Sequence, residues 1–160
     1  MDDDVVIMYT PITKPIARSN LKVNLADTYN RRSLPSSHEH NINEIWNARV
    51  RQNATLWNGT KFRLDSVVDD AESATFNLGI TSYKDFIGTN WSPDAELYRR
   101  LGTTDFDNTQ AYMSDALGVG SLLETADDQV VFLKRSENCA EAPGLWDIPG
   151  GHPEPRVLNR

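Results

Sequence analysis

Between Lys61 and Ile80 apolar and polar residues alternate with a period of two. Phe62, Leu64 and Ser66 alternate with Arg63, Asp65 and Val67, and Phe76, Leu78 and Ile80 with Thr75, Asn77 and Gly79. That period marks half-buried strands, and the linker Asp69-Asp70-Ala71-Glu72-Ser73 predicts an antiparallel hairpin. Upstream the period is helical: Ile42, Ile45, Trp46, Arg49 and Val50 fall on one stripe, so the pattern predicts a helix over 37–52. Ser36 and Glu39 have the spacing of a capping box at its start. A second helix is bracketed by Ser92-Pro93 and Gly102, with Ala95, Leu97, Tyr98 and Leu101 inward, and a short third is predicted around Thr109 to Ala116. Two further strands are read at Val119 to Leu123 and Gln129 to Arg135, separated by Thr125-Ala126-Asp127-Asp128. The second, with Val130-Val131-Phe132-Leu133, is apolar throughout, as in a strand covered on both faces. Residues 1–35 read as a loosely structured lead-in with a short strand at Val5 to Tyr9, and residues 36–160 as the body. Strands mixed with helices place the chain in the α/β (α+β) class.

Composition narrows the function classes. The 160 residues, 39% of them hydrophobic, suit one domain with a modest core. A net charge of −7 and a pI near 4.9 argue against a nucleic-acid partner, which needs a basic footprint; Arg31-Arg32 and Arg99-Arg100 read as isolated, solvated pairs. The single Cys139 allows neither an intrachain disulfide nor a cysteine-rich zinc module and reads as a passive loop thiol. Met1-Asp2-Asp3-Asp4 is acidic where a secretory signal is basic, and no apolar run approaches the roughly 20 residues of a membrane helix. The expectation is a soluble, intracellular chain, in the cytoplasm or nucleus, without a membrane partner. In that setting the sequons at Asn53, Asn58 and Asn90 are coincidental.

Candidate chemistry concentrates near the C-terminus, in Gly144-Leu145-Trp146-Asp147-Ile148-Pro149-Gly150-Gly151-His152-Pro153-Glu154. Pro149-Gly150-Gly151 by itself is an ordinary turn. The longer string, Gly-x-Trp-x-x-Pro-Gly-Gly-x-x-Glu after an apolar strand, resembles the opening of the catalytic motif of Nudix hydrolases. Lys61-Phe62-Arg63-Leu64, Thr81 to Trp91, Asp107 to Tyr112, Asp115 to Gly120 and Ala140 to Pro155 resemble, more narrowly, the animal UDP-sugar pyrophosphatase branch of that superfamily. The likeness runs from about residue 30 to Pro155.

This resemblance implies an α/β/α sandwich with a mixed sheet and a Mg²⁺-dependent hydrolysis of UDP-glucose and UDP-galactose to UMP and sugar 1-phosphate. In the family a glutamate follows the last glycine after five intervening residues and opens a helix of metal-binding acids. Here that count from Gly151 falls on Val157, so the catalytic acids are expected beyond Arg160, and the sandwich is expected to be incomplete at the C-terminus. Catalytic and metal-binding residues within the chain are therefore expected to be none. The resemblance points to Trp57 and Tyr83 as walls for the uracil ring, although core or surface packing is their other role. It points to Arg135 for the diphosphate, a use that suits a forked guanidinium but competes with a solvated strand end. Ala140 through its backbone and Asp147 complete the substrate contacts, unless Asp147 only anchors the Pro149 turn, and Gly150, Gly151 and Glu154 form the motif loop. Glycines fit there because a backbone close to a metal and a pyrophosphate leaves no room for a Cβ.

Other chemistries find little support. His38 and His40 do not share a helical face, and they and His152 read as surface residues. No nucleophile elbow or phosphate-binding Walker loop occurs, and Gly118-Val119-Gly120 lacks the rest of a dinucleotide fingerprint. Three readings follow: the N-terminal portion of a UDP-sugar hydrolase, a UDP-sugar-binding module without catalysis, or a truncated chain that does not fold stably.

Overall fold

The computed structural model describes residues 15–70, 72–139 and 142–155. The elements are β1 (Leu21–Leu25), α1 (Ser36–Gln52), β2 (Thr60–Asp69), β3 (Ala74–Ser82), α2 (Tyr83–Thr89) and α3 (Ala95–Phe106), followed by four two-residue strands. Those are β4 (Val119–Gly120), β5 (Leu133–Lys134), β6 (Trp146–Asp147) and β7 (Gly150–Gly151). The main sheet has the order β1-β3-β2, with β1 parallel and β2 antiparallel to β3. This is the mixed α/β class expected from the sequence.

The predicted hairpin forms, with Asp70 closing its turn by accepting from the Ser73 amide at 2.8 Å. A bulge at Asp65 interrupts the simple alternation: Leu64 pairs with Leu78 but Ser66 pairs with Asn77. Arg63 is only 1% exposed. Its guanidinium donates to the carbonyls of Met113 (3.0 Å), Tyr29 (2.8 Å) and Gln110 (2.8 Å) and to Asp65 Oδ1 (2.6 Å), and Asp115 Oδ2 lies at 3.7 Å. The free edge of β2 also takes up the segment that follows α3, through Leu64 N to Asp115 O (3.0 Å) and Leu117 N to Phe62 O (2.8 Å).

A core of Leu34, Ile42, Tyr98, Tyr112 and Met113 joins α1, α3 and that segment, with Ala95, Leu97 and Leu101 packed against it. Two glycines permit close approach. A Cβ on Gly79 would run into the Tyr29 carbonyl, and one on Gly88 would strike the Ile42 side chain.

Several expectations are corrected. The lead-in contains β1 and short 3-10 turns at Arg18–Asn20 and Asp27–Tyr29; the strand read at Val5 to Tyr9 lies outside the described residues. The capping box does not close: Pro35 precedes α1 without a side-chain cap, and Glu39 Oε1 accepts from the Leu34 amide at 2.9 Å. Gly102 does not end α3, which continues to Phe106 and closes on Asp107 at φ 52°. The Thr109 to Ala116 segment is not a helix: it turns over 109–112 and then runs along β2 to a bridge between Ala116 and Arg63, with the Gln110 and Met113 carbonyls accepting from the Arg63 guanidinium. The strands at 119–123 and 129–135 shorten to β4 and β5, and Val130, Phe132 and Leu133 are exposed, not covered on both faces.

Arg31 is also not a solvated residue. It bonds Glu39 through both oxygens (2.6 and 3.0 Å) and Asp85 at 2.7 Å, with its side chain 14% exposed. Burial works against its charge, but the hydrogen bonds and charges of Glu39 and Asp85 outweigh this and hold it more firmly protonated. Partial burial likewise pushes Glu39 up, while Arg31 and the Leu34 amide prevail and hold its carboxyl below the ordinary value.

Two predictions follow from these buried cations. Arg63→Met, which leaves three carbonyls and the Asp65 carboxylate without their donor and removes the charge beside Asp115, lowers unfolding free energy by about 3–5 kcal/mol in urea titration. A depressed Glu39 pKa contributes stability above its ordinary value of 4.5 that is lost as the pH falls through its folded value. Arg31→Met should therefore cost about 1–2 kcal/mol at neutral pH and flatten the fall of stability below pH 4.5.

Candidate functional site

Tyr83 is placed by the turn from β3 into α2. Ser82 Oγ accepts from the Asp85 amide at 3.2 Å and donates to Asp85 Oδ2 at 2.7 Å, which caps α2 one residue before Tyr83. The same turn holds the preceding loop, since Tyr83 N donates to Gly59 O (2.9 Å) and Lys84 N to Asn58 Oδ1 (2.8 Å). Trp57 folds over Gly59, where a Cβ would collide with the indole. The Tyr83 ring is backed edge-on by Trp46 at 6.0 Å and stacked on Phe86 at 6.4 Å.

The motif forms the opposite wall. In the β4–β7 ladder Val119 pairs with Gly151 and Gly120 with Gly150, and Ser121 N donates to Pro149 O at 2.8 Å. In the β5–β6 ladder Leu133 pairs with Asp147 and Lys134 with Trp146. That register brings Arg135 Nη1 to 3.1 Å from Asp147 Oδ2. Gly144 adopts φ 71°, with the Glu137 carboxylate where a side chain would sit.

Two adjoining cavities lie between these walls. The larger, about 590 Å³, is lined by Tyr83, Arg135, Cys139, Asp147, Gly150, Gly151 and His152, with Gly118 to Gly120. The smaller, about 280 Å³, is lined by Trp57, Lys61, Tyr83, Asn138, His152 and Glu154, with Leu56 and Gly59. Tyr83 and His152 are common to both. Thus Trp57, Tyr83, Arg135, Asp147, Gly150, Gly151 and Glu154 all border this space, whereas Ala140 lies outside the described residues.

The glycines serve different ends. A Cβ on Gly150 would run into the Val119 carbonyl, so the ladder itself requires that glycine. A Cβ on Gly151 would meet nothing within 4 Å and would only project into open space. Gly151 therefore keeps the cradle clear for whatever occupies it.

Sequence reasoning missed His152 and Lys61. His152, read as a surface residue, packs its ring 6.2 Å from Phe86 and borders both cavities. Lys61 Nζ donates to Glu154 Oε1 at 2.7 Å across 93 residues of sequence, a pairing that no local pattern reveals. The Ser82 and Asp85 spacing was the one signal available for α2. The arrangement offers aromatic faces beside one cavity and a guanidinium beside the other, the complement of a planar base joined to an anion.

No family model matches the chain. It is 43% identical over 163 residues to uridine diphosphate glucose pyrophosphatase NUDT22 of Homo sapiens, with 99% of this chain and 54% of that protein covered. The Mus musculus protein of the same name is 42% identical over 162 residues, with 99% and 52% covered. Nudix hydrolase 9 of Arabidopsis thaliana is 37% identical over 129 residues, with 75% and 41% covered. Over nearly its whole length the chain is thus similar to proteins of the Nudix hydrolase superfamily. It spans about half the length of these curated relatives. No helix among the described residues is long and apolar enough to cross a membrane.

The two glycines separate experimentally. Gly150→Ala should accelerate amide exchange at Ser121 by about tenfold or more by opening the β4–β7 ladder, while Gly151→Ala leaves it unchanged. Hydrogen exchange followed by NMR checks both.

Proposed function

We propose that the chain forms the substrate-recognition part of a UDP-sugar hydrolase, a protein that takes UDP-glucose or UDP-galactose to UMP and sugar 1-phosphate. One observation carries this reading: Trp57, Tyr83, Arg135 and Asp147, spread over 91 sequence positions, border two contiguous cavities beside the glycines of the motif. The names of the human and mouse relatives supply the substrate class, a uridine diphosphate sugar.

In this reading the aromatic wall of Trp57 and Tyr83 seats the base, with stacking worth about 1–3 kcal/mol. Arg135 neutralises diphosphate charge, and Asp147 keeps its fork aimed by holding one Nη. Gly151 lets the substrate lie against the backbone. A Mg²⁺ ion, when bound, would neutralise phosphate charge and activate water. Among the described residues no group of three His, Cys, Asp or Glu side chains is placed to hold a metal ion. The work assigned to these residues is binding and orientation.

The same cavities support a second reading, a UDP-sugar-binding module without catalysis, and one experiment bears on both. Calorimetry with UDP-glucose and an assay of phosphate-monoester release with Mg²⁺, on the 160-residue chain, should show saturable binding without turnover. Arg135→Ala should weaken binding by about tenfold or more. Failure to bind UDP-glucose overturns the recognition role, and turnover by this chain would place the hydrolytic centre among residues assigned here to binding.

A further inference from the structure

The Lys61–Glu154 pair has a position that stability alone does not explain. Partly buried ion pairs contribute little net free energy, because desolvation offsets attraction. Yet this pair stands with side chains 12% and 30% exposed in the smaller cavity, where it joins the first residues of β2 to the motif loop. The ammonium also lies 5.7 Å from the centre of the Trp57 ring, whose indole is 60% exposed.

The hydrogen-bonding inventory leaves capacity on both partners. A lysine ammonium has three N–H donors, of which one serves Glu154 Oε1 and none of the others has a hydrogen-bond acceptor among the described residues. Glu154 Oε2 accepts from no described residue either. The cavity thus presents a charged donor and a charged acceptor side by side, next to an aromatic face. A planar heterocycle matches this set if its edge carries a carbonyl oxygen adjacent to an N–H, as the uracil edge does with O4 or O2 beside N3–H.

We infer that Lys61 and Glu154 recognise the base of the uridine nucleotide, Lys61 donating to a ring carbonyl and Glu154 Oε2 accepting from N3–H, with Trp57 against the ring face. The inference rests on the UDP-sugar reading above and gives it a specificity element. Cytosine carries a lone pair at N3, which would face the carboxylate with no proton between them. A site built to accept a proton at that position rejects analogues that lack it, because its buried acceptor is left unpaired.

The test is ligand-side first: calorimetric titration of the unaltered 160-residue chain with UMP, 3-methyl-UMP and CMP. UMP should bind about tenfold or more tighter than either analogue. In Glu154→Ala the preference for UMP over 3-methyl-UMP should shrink to within about twofold, while Lys61→Met weakens both ligands alike. Thermal unfolding of each variant shows that it is folded. UMP and 3-methyl-UMP binding equally to the unaltered chain overturns the inference and leaves the UDP-sugar reading standing. No UMP binding by the unaltered chain overturns both. A comparison made on the unaltered chain does not depend on how either variant folds.

Discussion

The Arg63 guanidinium is the contact on which the other parts converge. It is buried in a strand, where an unpaired charge would cost several kcal/mol, and it is tolerated because three carbonyls and a carboxylate accept from it while Asp115 stands close by. These acceptors belong to three separate stretches: the 3-10 turn ending at Tyr29, β2 itself, and the segment of Gln110, Met113 and Asp115 that follows α3. One side chain thus fixes how the lead-in and the post-α3 segment sit on the sheet. Burial pushes the Asp115 carboxyl up, against the Asn90 hydrogen bond and the charges of Arg63 and Arg99, so the desolvation cost is shared around the cluster.

Arg63 fixes the front of the candidate site indirectly. By drawing the 110–115 segment against β2 it sets the departure point of the chain toward β4, whose ladder with β7 carries the motif glycines. Arg31 acts similarly on the aromatic wall: it ties Glu39 of α1 to Asp85 of α2, the residue that with Ser82 fixes the turn bearing Tyr83. Two buried or half-buried arginines, neither lining the two site cavities, thus position the residues that do.

What the sequence revealed and what it hid divide along the range of the interactions. The hairpin and α1 were legible because a period of two or of 3.6 is written in neighbouring residues. The burial of Arg63 was not legible, because the Asp65 bulge breaks the alternation and because burial of an arginine depends on acceptors up to 50 residues away. Gly102 looked like a helix stop, but its missing side chain serves close approach to the Asn108 carbonyl. For the site, the resemblance supplied Trp57, Tyr83, Arg135 and Asp147, and the fold supplied their proximity. His152 and Lys61 carried no signal of their own, since a histidine after two glycines and a lysine at a strand start are ordinary features.

The division of labour between the two walls has a thermodynamic consequence. The Tyr83 wall stands on the three-stranded sheet and the core, whereas the motif wall stands on two-residue ladders with Leu122, Leu133, Leu145 and Trp146 exposed. Short ladders of this kind are the low-stability end of a structure and open before the core does. Among the ties that hold the motif loop to the core side are the Lys61–Glu154 pair and the Phe86–His152 contact, and of these residues Lys61, Glu154 and His152 border the cavities. A ligand spanning the two walls would therefore add its own binding energy across this seam, stabilising the closed arrangement by mass action. Recognition of such a ligand and ordering of the motif loop would then be one equilibrium, because Lys61, His152 and Glu154, which close the seam, also border the cavities.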